Sequence, residues 1–157
     1  DGDNVMLAVD AYSNIDKIGK RVVIIGGGQV GCETALKLAM EEGREVSVIE
    51  MQEFLAPDAG FNARLPIIER MEKYCSIFTQ STCTSINSDA VTFVDKDGKK
   101  QSLAADTVIL SVGMRAEAEI AEQFRDAADM FFNVGDSNKP GDICSATTAA
   151  YDAVMQI

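Results

Sequence analysis

The spacing of apolar and polar positions changes along this chain, and each change marks an element. Arg21-Val22-Val23-Ile24-Ile25 is a β-branched run with no polar interruption, which predicts a strand buried on both faces. Three glycines, Gly26 to Gly28, end it. Residues 29–42 then turn helical, with Ala35, Leu38 and Ala39 at helical spacing and Gly43 where a C-terminal cap belongs. Residues 45–49 predict a second strand that ends at Glu50. The stretch from Arg21 to Glu50 has about the 30-residue length of a βαβ unit.

Beyond it the pattern is irregular over residues 51–64. Pro66 fits the first turn of a helix, with Ile67, Ile68, Met71 and Cys75 on one face, and residues 76–79 predict a third parallel strand. Residues 82–86 and 90–94 are short and alternate. Asp97-Gly98 marks a tight turn, and residues 99–103 return as a partner. Residues 106–112 predict another buried strand ending at Gly113, 116–124 a helix, 130–134 a strand, and 145–155 a closing helix with alanines that permit close packing. A short helix is expected within residues 5–12 and a linker over 14–19. The fold class is α/β: a Rossmann-like three-layer parallel sheet with an inserted antiparallel β-meander.

Composition narrows the chemistry. The 157 residues are 46% hydrophobic and 25% charged, which places the chain with soluble globular proteins. No apolar run approaches the roughly 20 residues that span a bilayer. The net charge of −11 argues against nucleic acid or an anionic membrane as partner. The four cysteines contain no C-x-x-C pair, so neither a dithiol motif nor a zinc knuckle is expected, and reduced thiols fit a cytoplasmic protein. There is no histidine. A catalytic triad and a typical zinc site are therefore not expected, and no catalytic residue or metal ligand is assigned. The chain begins with Asp1 rather than Met, and it is expected to be a piece of something longer.

Gly26-Gly27-Gly28-Gln29-Val30-Gly31 fits G-x-G-x-x-G. In such a turn the first glycine permits the tight exit from the strand. The second lets the backbone approach a pyrophosphate, and the third lets the helix pack close to the strand. The helix N-terminus then offers free N–H groups to the phosphates, which explains how an acidic protein holds an anionic cofactor. Glu50, 24 residues after Gly26, stands where a carboxylate accepts hydrogen bonds from the adenosine ribose and repels a 2′-phosphate. Met51, Gln52 and Glu53 supply no cation. These residues predict NAD(H) rather than NADP(H), with Gly26, Gly28, Gln29, Val30, Gly31, Glu50 and Met51 as cofactor-binding candidates.

The run from Gly26 to Ala35, G-G-G-Q-V-G-C-E-T-A, resembles the NAD-domain motif of two-dinucleotide flavoproteins, the pyridine nucleotide-disulfide oxidoreductase superfamily. Residues 46–50 resemble the second strand of that domain, and residues 106–115 resemble the strand that hands back to the FAD domain. Asn133-Val134-Gly135-Asp136 resembles the late G-D motif, and the short segment after it is similar to the 2,4-dienoyl-CoA reductase, 2-enoate reductase and NADH:flavin oxidoreductase (NADH oxidase) group. The resemblance implies hydride transfer from NADH to FAD in an intact parent. It places Glu33 near the nicotinamide end, unless Glu33 is an ordinary helix glutamate. It makes Gly113 a point of close approach for nicotinamide ribose or pyrophosphate, and makes Asp136 an FAD contact in the parent. The superfamily's FAD-binding G-x-G-x-x-G and any FMN barrel are absent. The expected partners are thus NADH, the missing FAD-binding half and an FMN barrel. Residues 15–115 are assigned to an NAD(H)-binding domain and residues 1–14 and 116–157 to remnants of an incomplete FAD-binding domain, in a chain that binds but does not turn over. A non-catalytic module that holds ADP or NAD is the alternative.

Overall fold

The computed structural model describes residues 2–157, apart from the side chain of Phe61. The chain divides into two compact units, one ending at Val112 and the other running Gly113–Ile157.

The first unit holds eight strands among its described residues. Five are parallel: β1 (Val5–Leu7), β2 (Arg21–Ile25), β3 (Glu45–Ile49), β4 (Ser76–Phe78) and β8 (Thr107–Leu110), in the order β1-β8-β2-β3-β4. β2 is central, with Val22 opposite Val46 and Val23 opposite Val108. Helices α1 (Ala8–Ala11), α2 (Gln29–Met40) and α3 (Phe61–Tyr74) connect the strands. The other three strands, β5 (Thr82–Ile86), β6 (Ala90–Val94) and β7 (Lys100–Ala104), form a separate antiparallel sheet in sequence order.

Because side chains alternate across a strand, each parallel strand feeds two cores. Val22, Ile24, Val46, Val48 and Ile109 pack with Ala35, Leu38 and Met71 of α2 and α3. Val23, Ile49 and Val108 point the other way, onto Val91 and Phe93 of the meander. The parallel sheet is therefore the middle of three layers. This explains why the central strands β2 and β8 read as nearly continuous apolar runs while β5 and β7, with one face exposed, alternate or stay polar. Arg21 ties the start of β2 to the approach to β8: its N–H donates to Asp106 Oδ2 at 2.8 Å, and its guanidinium pairs with Oδ1.

Several elements differ from expectation. Residues 5–12 split into β1 and the single-turn α1, because Val5 to Leu7 pair in register with β8. The linker at 14–19 contains a 3-10 turn, Ile15–Lys17. Pro66 lies inside α3 rather than in its first turn. Gly60 starts that helix by accepting from the N–H groups of Ala63 and Arg64. Pro66 and Asn62 are both exposed, so water can take the carbonyl that a proline in the interior leaves without a donor. In the second unit, no strand forms over residues 130–134, since an apolar run needs a neighbouring strand to become one. The unit instead carries a short helix, α4 (Ala118–Glu122), and α5 (Ile143–Val154). α5 is closed by a capping box in which Asp142 Oδ1 accepts from Ser145 N–H at 2.7 Å.

Candidate functional site

β2 delivers the chain to the glycine turn, and α2 begins three residues later. Gly26 has φ +103°, a left-handed conformation that glycine adopts without strain, and its N–H donates to Ile49 O at 2.9 Å. A Cβ on Gly26 would lie inside 3.0 Å of the Ser111 carbonyl, so this glycine also lets the turn pass against the end of β8. A Cβ on Gly31 would lie inside 3.0 Å of the Gly26 carbonyl oxygen and 3.2 Å from Ser111 Oγ. Here the absent side chain lets α2 sit on the strand exit.

Gly28 differs from both. It is the N-cap of α2, with φ −64° and ψ 178°, a conformation any residue adopts. A Cβ there would meet only the Asp58 carboxylate, at 3.6 and 3.7 Å, which is ordinary contact. Nothing in the surrounding backbone requires glycine at this position. The open space lies at the N-terminus of a 12-residue helix, whose first N–H groups have no acceptors within the helix.

Glu50 is buried at the end of β3. Its Oε2 accepts from Gly27 N–H at 2.5 Å and its Oε1 from Gln52 N–H at 2.7 Å. The carboxylate thus pins the glycine turn to the strand end. Each oxygen has one lone pair uncommitted, which a ribose hydroxyl could use. Met51 is exposed next to it. Gln29 Nε2 donates to Glu33 Oε1 at 2.8 Å on the outer face of α2, one turn along, and Val30 is exposed in the same turn.

The structure brings Gly26, Gly28, Gln29, Val30, Gly31, Glu50 and Met51 to one end of the parallel sheet, where its strands finish. Glu33 lies one turn further along α2. Gly113 and Asp136 belong to the second unit. There Gly113 has φ +87° with open space around it, and Asp136 Oδ1 accepts from Gly141 N–H at 3.2 Å.

The sequence reading missed the segment between β3 and α3. Ala56, in the left-handed region at φ 45°, donates its N–H to Gly27 O at 2.7 Å. Cys32 Sγ reaches the same carbonyl at 3.3 Å, and burial pushes this thiol up to about 12. Arg64 Nε holds Leu55 O at 3.0 Å. Asp58 then presents its carboxylate to Gln29 N–H at 2.8 Å. Residues 51–64 have no periodicity, and only the Pro57 and Gly60 punctuation hinted at a shaped turn.

A family model described as pyridine nucleotide-disulphide oxidoreductase matches residues 4–132. The chain belongs to the pyridine nucleotide-disulphide oxidoreductase family. It is 30% identical to a cinnamate reductase of Clostridium sporogenes, over 99% of this chain and 24% of that protein. It is 32% identical to an NADH oxidase of Thermoanaerobacter brockii, over 88% of this chain and 21% of the relative. Among solved structures it resembles a 2-naphthoyl-CoA reductase with a TM-score of 0.88 and 27% identity, over 99% of this chain and 24% of that one. The chain spans about a quarter of the length of these relatives. All are named as reductases or oxidases, in keeping with the oxidoreductase family that the glycine turn resembles. No helix among the described residues is long and apolar enough to cross a membrane.

Proposed function

We propose that this chain is the NAD(H)-binding portion of a flavin-dependent oxidoreductase. The observation that carries the reading is the contrast among the three motif glycines. Gly26 and Gly31 are required by the protein's own backbone, whereas Gly28 borders space that the backbone leaves open. A glycine with no internal reason, at the N-terminus of α2, suits the close approach of a pyrophosphate. Gln29, Val30 and Gly31 would supply backbone N–H groups there, and Glu50 would accept from the adenosine ribose.

NAD(H) is favoured over NADP(H) by charge. Glu50 and Glu53 stand at the strand end, residues 50–60 hold no Lys or Arg, and Arg64, which reaches this segment, commits its Nε to the Leu55 carbonyl, so a 2′-phosphate would meet carboxylates first. Bound NADH supplies a hydride, and FAD in the intact parent is its acceptor. The chain's own part would be to bind and orient, with Glu33 of the first unit serving the nicotinamide end; in the second unit, Gly113 would allow close approach of the cofactor and Asp136 would contact FAD in the parent.

Residues 15–115 make up the nucleotide-binding portion. Residues 1–14 and 116–157 belong with a flavin-binding region, and an FMN barrel completes the parent. The exposed Ile120, Phe124, Ile143 and Tyr151 support a second unit that is covered in a larger protein. Alone, the chain binds NADH in the cytoplasm without turnover. Calorimetric titration with NADH and NADPH tests the reading: NADH should bind more tightly, and tighter NADPH binding overturns the assignment.

A further inference from the structure

The space beside Gly28 is not empty of charge. Asp58 Oδ1 accepts from Gln29 N–H at 2.8 Å, and both carboxylate oxygens lie within 3.7 Å of where a Gly28 Cβ would be. The N-terminus of α2 has no cap from Gly28 itself. The carboxylate that serves it comes from 29 residues further along the chain. An acid from outside the helix therefore holds the position that an anionic ligand's phosphate would take.

Asp58 is not delivered by a loose tail. Leu55, Ala56 and Ala59 are buried on either side of it. Ala56 N–H is bonded to Gly27 O, and Ala59 N–H closes the turn onto Ala56 O at 3.2 Å. Arg64 fastens Leu55 from α3. The side chain of Asp58 itself is exposed, so it can rotate away while its backbone stays anchored.

We propose that Asp58 is an affinity-setting residue: its carboxylate occupies the pyrophosphate position at the N-terminus of α2 and must leave Gln29 N–H when the dinucleotide binds. This inference rests on the dinucleotide reading above. The Gln29 N–H can serve only one of the two anions, and the partial positive charge that attracts the phosphate also holds the carboxylate, so the two compete. Each binding event must first displace Asp58. NADH is therefore held more weakly than the turn alone allows and leaves faster, as suits a domain that must exchange its nucleotide at every turnover.

The test is Asp58→Asn in the intact chain. Asparagine keeps the size and an acceptor oxygen and still caps the helix, but it gives up the charge that the helix N-terminus holds, so the ligand-free protein should melt slightly earlier while staying folded. NADH affinity should rise about tenfold, equivalent to about 1.4 kcal/mol, while adenosine, which has no phosphate, should bind the two proteins equally. Unchanged or weaker NADH binding by Asp58→Asn, with wild type binding normally, overturns the proposal and leaves the dinucleotide site standing. An equal gain for adenosine also overturns it, since the effect would then not act on the phosphates. If neither protein binds NADH, the dinucleotide reading fails and takes this inference with it.

Discussion

Gly28→Ala and Gly31→Ala separate a glycine kept for a ligand from one kept for the fold. In a helix, replacing glycine by alanine ordinarily gains about 0.5–1 kcal/mol. At position 31 the new Cβ would fall inside 3.0 Å of the Gly26 carbonyl oxygen, and 3.2 Å from both the Gly26 carbonyl carbon and Ser111 Oγ. The carbonyl is backbone in a turn already fixed by Gly26 N–H on Ile49 O, so it cannot step aside as a side-chain end would. α2 must shift instead. Overpacking of this kind costs about 1–3 kcal/mol, which leaves a net loss of up to about 2.5 kcal/mol after the helix gain. For a domain of this size each kcal/mol is about 2–4 °C of Tm.

At position 28 the backbone already suits alanine, at φ −64° and ψ 178°, and the nearest atoms are the Asp58 oxygens at 3.6 and 3.7 Å. Stability should stay within about 0.5 kcal/mol of wild type. Yet the methyl group would stand where the pyrophosphate must approach, so NADH affinity should fall by at least about tenfold, or 1.4 kcal/mol. Thermal melts followed by circular dichroism read the first quantity, and NADH calorimetry reads the second. If Gly28→Ala melts as early as Gly31→Ala, or binds NADH as wild type does, the division of roles among the glycines is wrong.

Three further predictions follow from named contacts. Glu50→Gln replaces one of two acceptor oxygens with an NH2 group facing a backbone N–H, Gly27 or Gln52. It should cost about 1–3 kcal/mol by urea denaturation and narrow the preference for NADH over NADPH, and a wider preference would contradict the charge argument. Asp106 is held at about 2 by hydrogen bonds from Arg21, below its ordinary value of 3.8. A lowered folded pKa adds stability that is complete above the unfolded value and is lost as pH falls toward 2. Asp106→Asn should therefore flatten the loss of stability between about pH 4 and 2, and an unchanged acid limb in pH-dependent melts would count against the pair. Of the four thiols, Cys144 is exposed, while burial pushes Cys32 up to about 12 and Cys75 to about 11 and raises Cys83. Native protein should show one fast-reacting thiol with a disulfide reagent near pH 8, and mass mapping that finds Cys32 modified first would refute the burial argument.

The parts of this fold that could be read from sequence are those where local pattern and tertiary environment ask for the same residues. β2, β3 and β8 lie between two cores, so their buried positions are mostly apolar, and Val22 to Ile25 show it directly. The meander faces a core on one side, and its alternation follows. β1 was hidden because three residues, Val5 to Leu7, gain strand geometry only from their pairing with β8, which nothing local encodes. The start of α3 was misplaced because proline preference favours a first turn, whereas an exposed face of the helix tolerated Pro66 further in.

The site divides the same way. G-x-G-x-x-G is legible because its three glycines fall within six residues, although Gly26 and Gly31 answer to the backbone and Gly28 borders open space, and Glu50 is legible because strand ends have fixed spacing from the turn. What Glu50 does is less legible: its two bonds to backbone N–H groups make it a fastener of the turn, beside the ribose contact proposed for it. Asp58 was not legible at all. Its role depends on Ala56 holding Gly27 O across 29 residues of chain, a contact without periodicity, placed by a strained turn. The residue proposed to set how tightly the site holds its ligand is thus one that no local pattern announces. On this reading the glycine motif specifies where a dinucleotide would sit and leaves its affinity to the segment that folds over the turn.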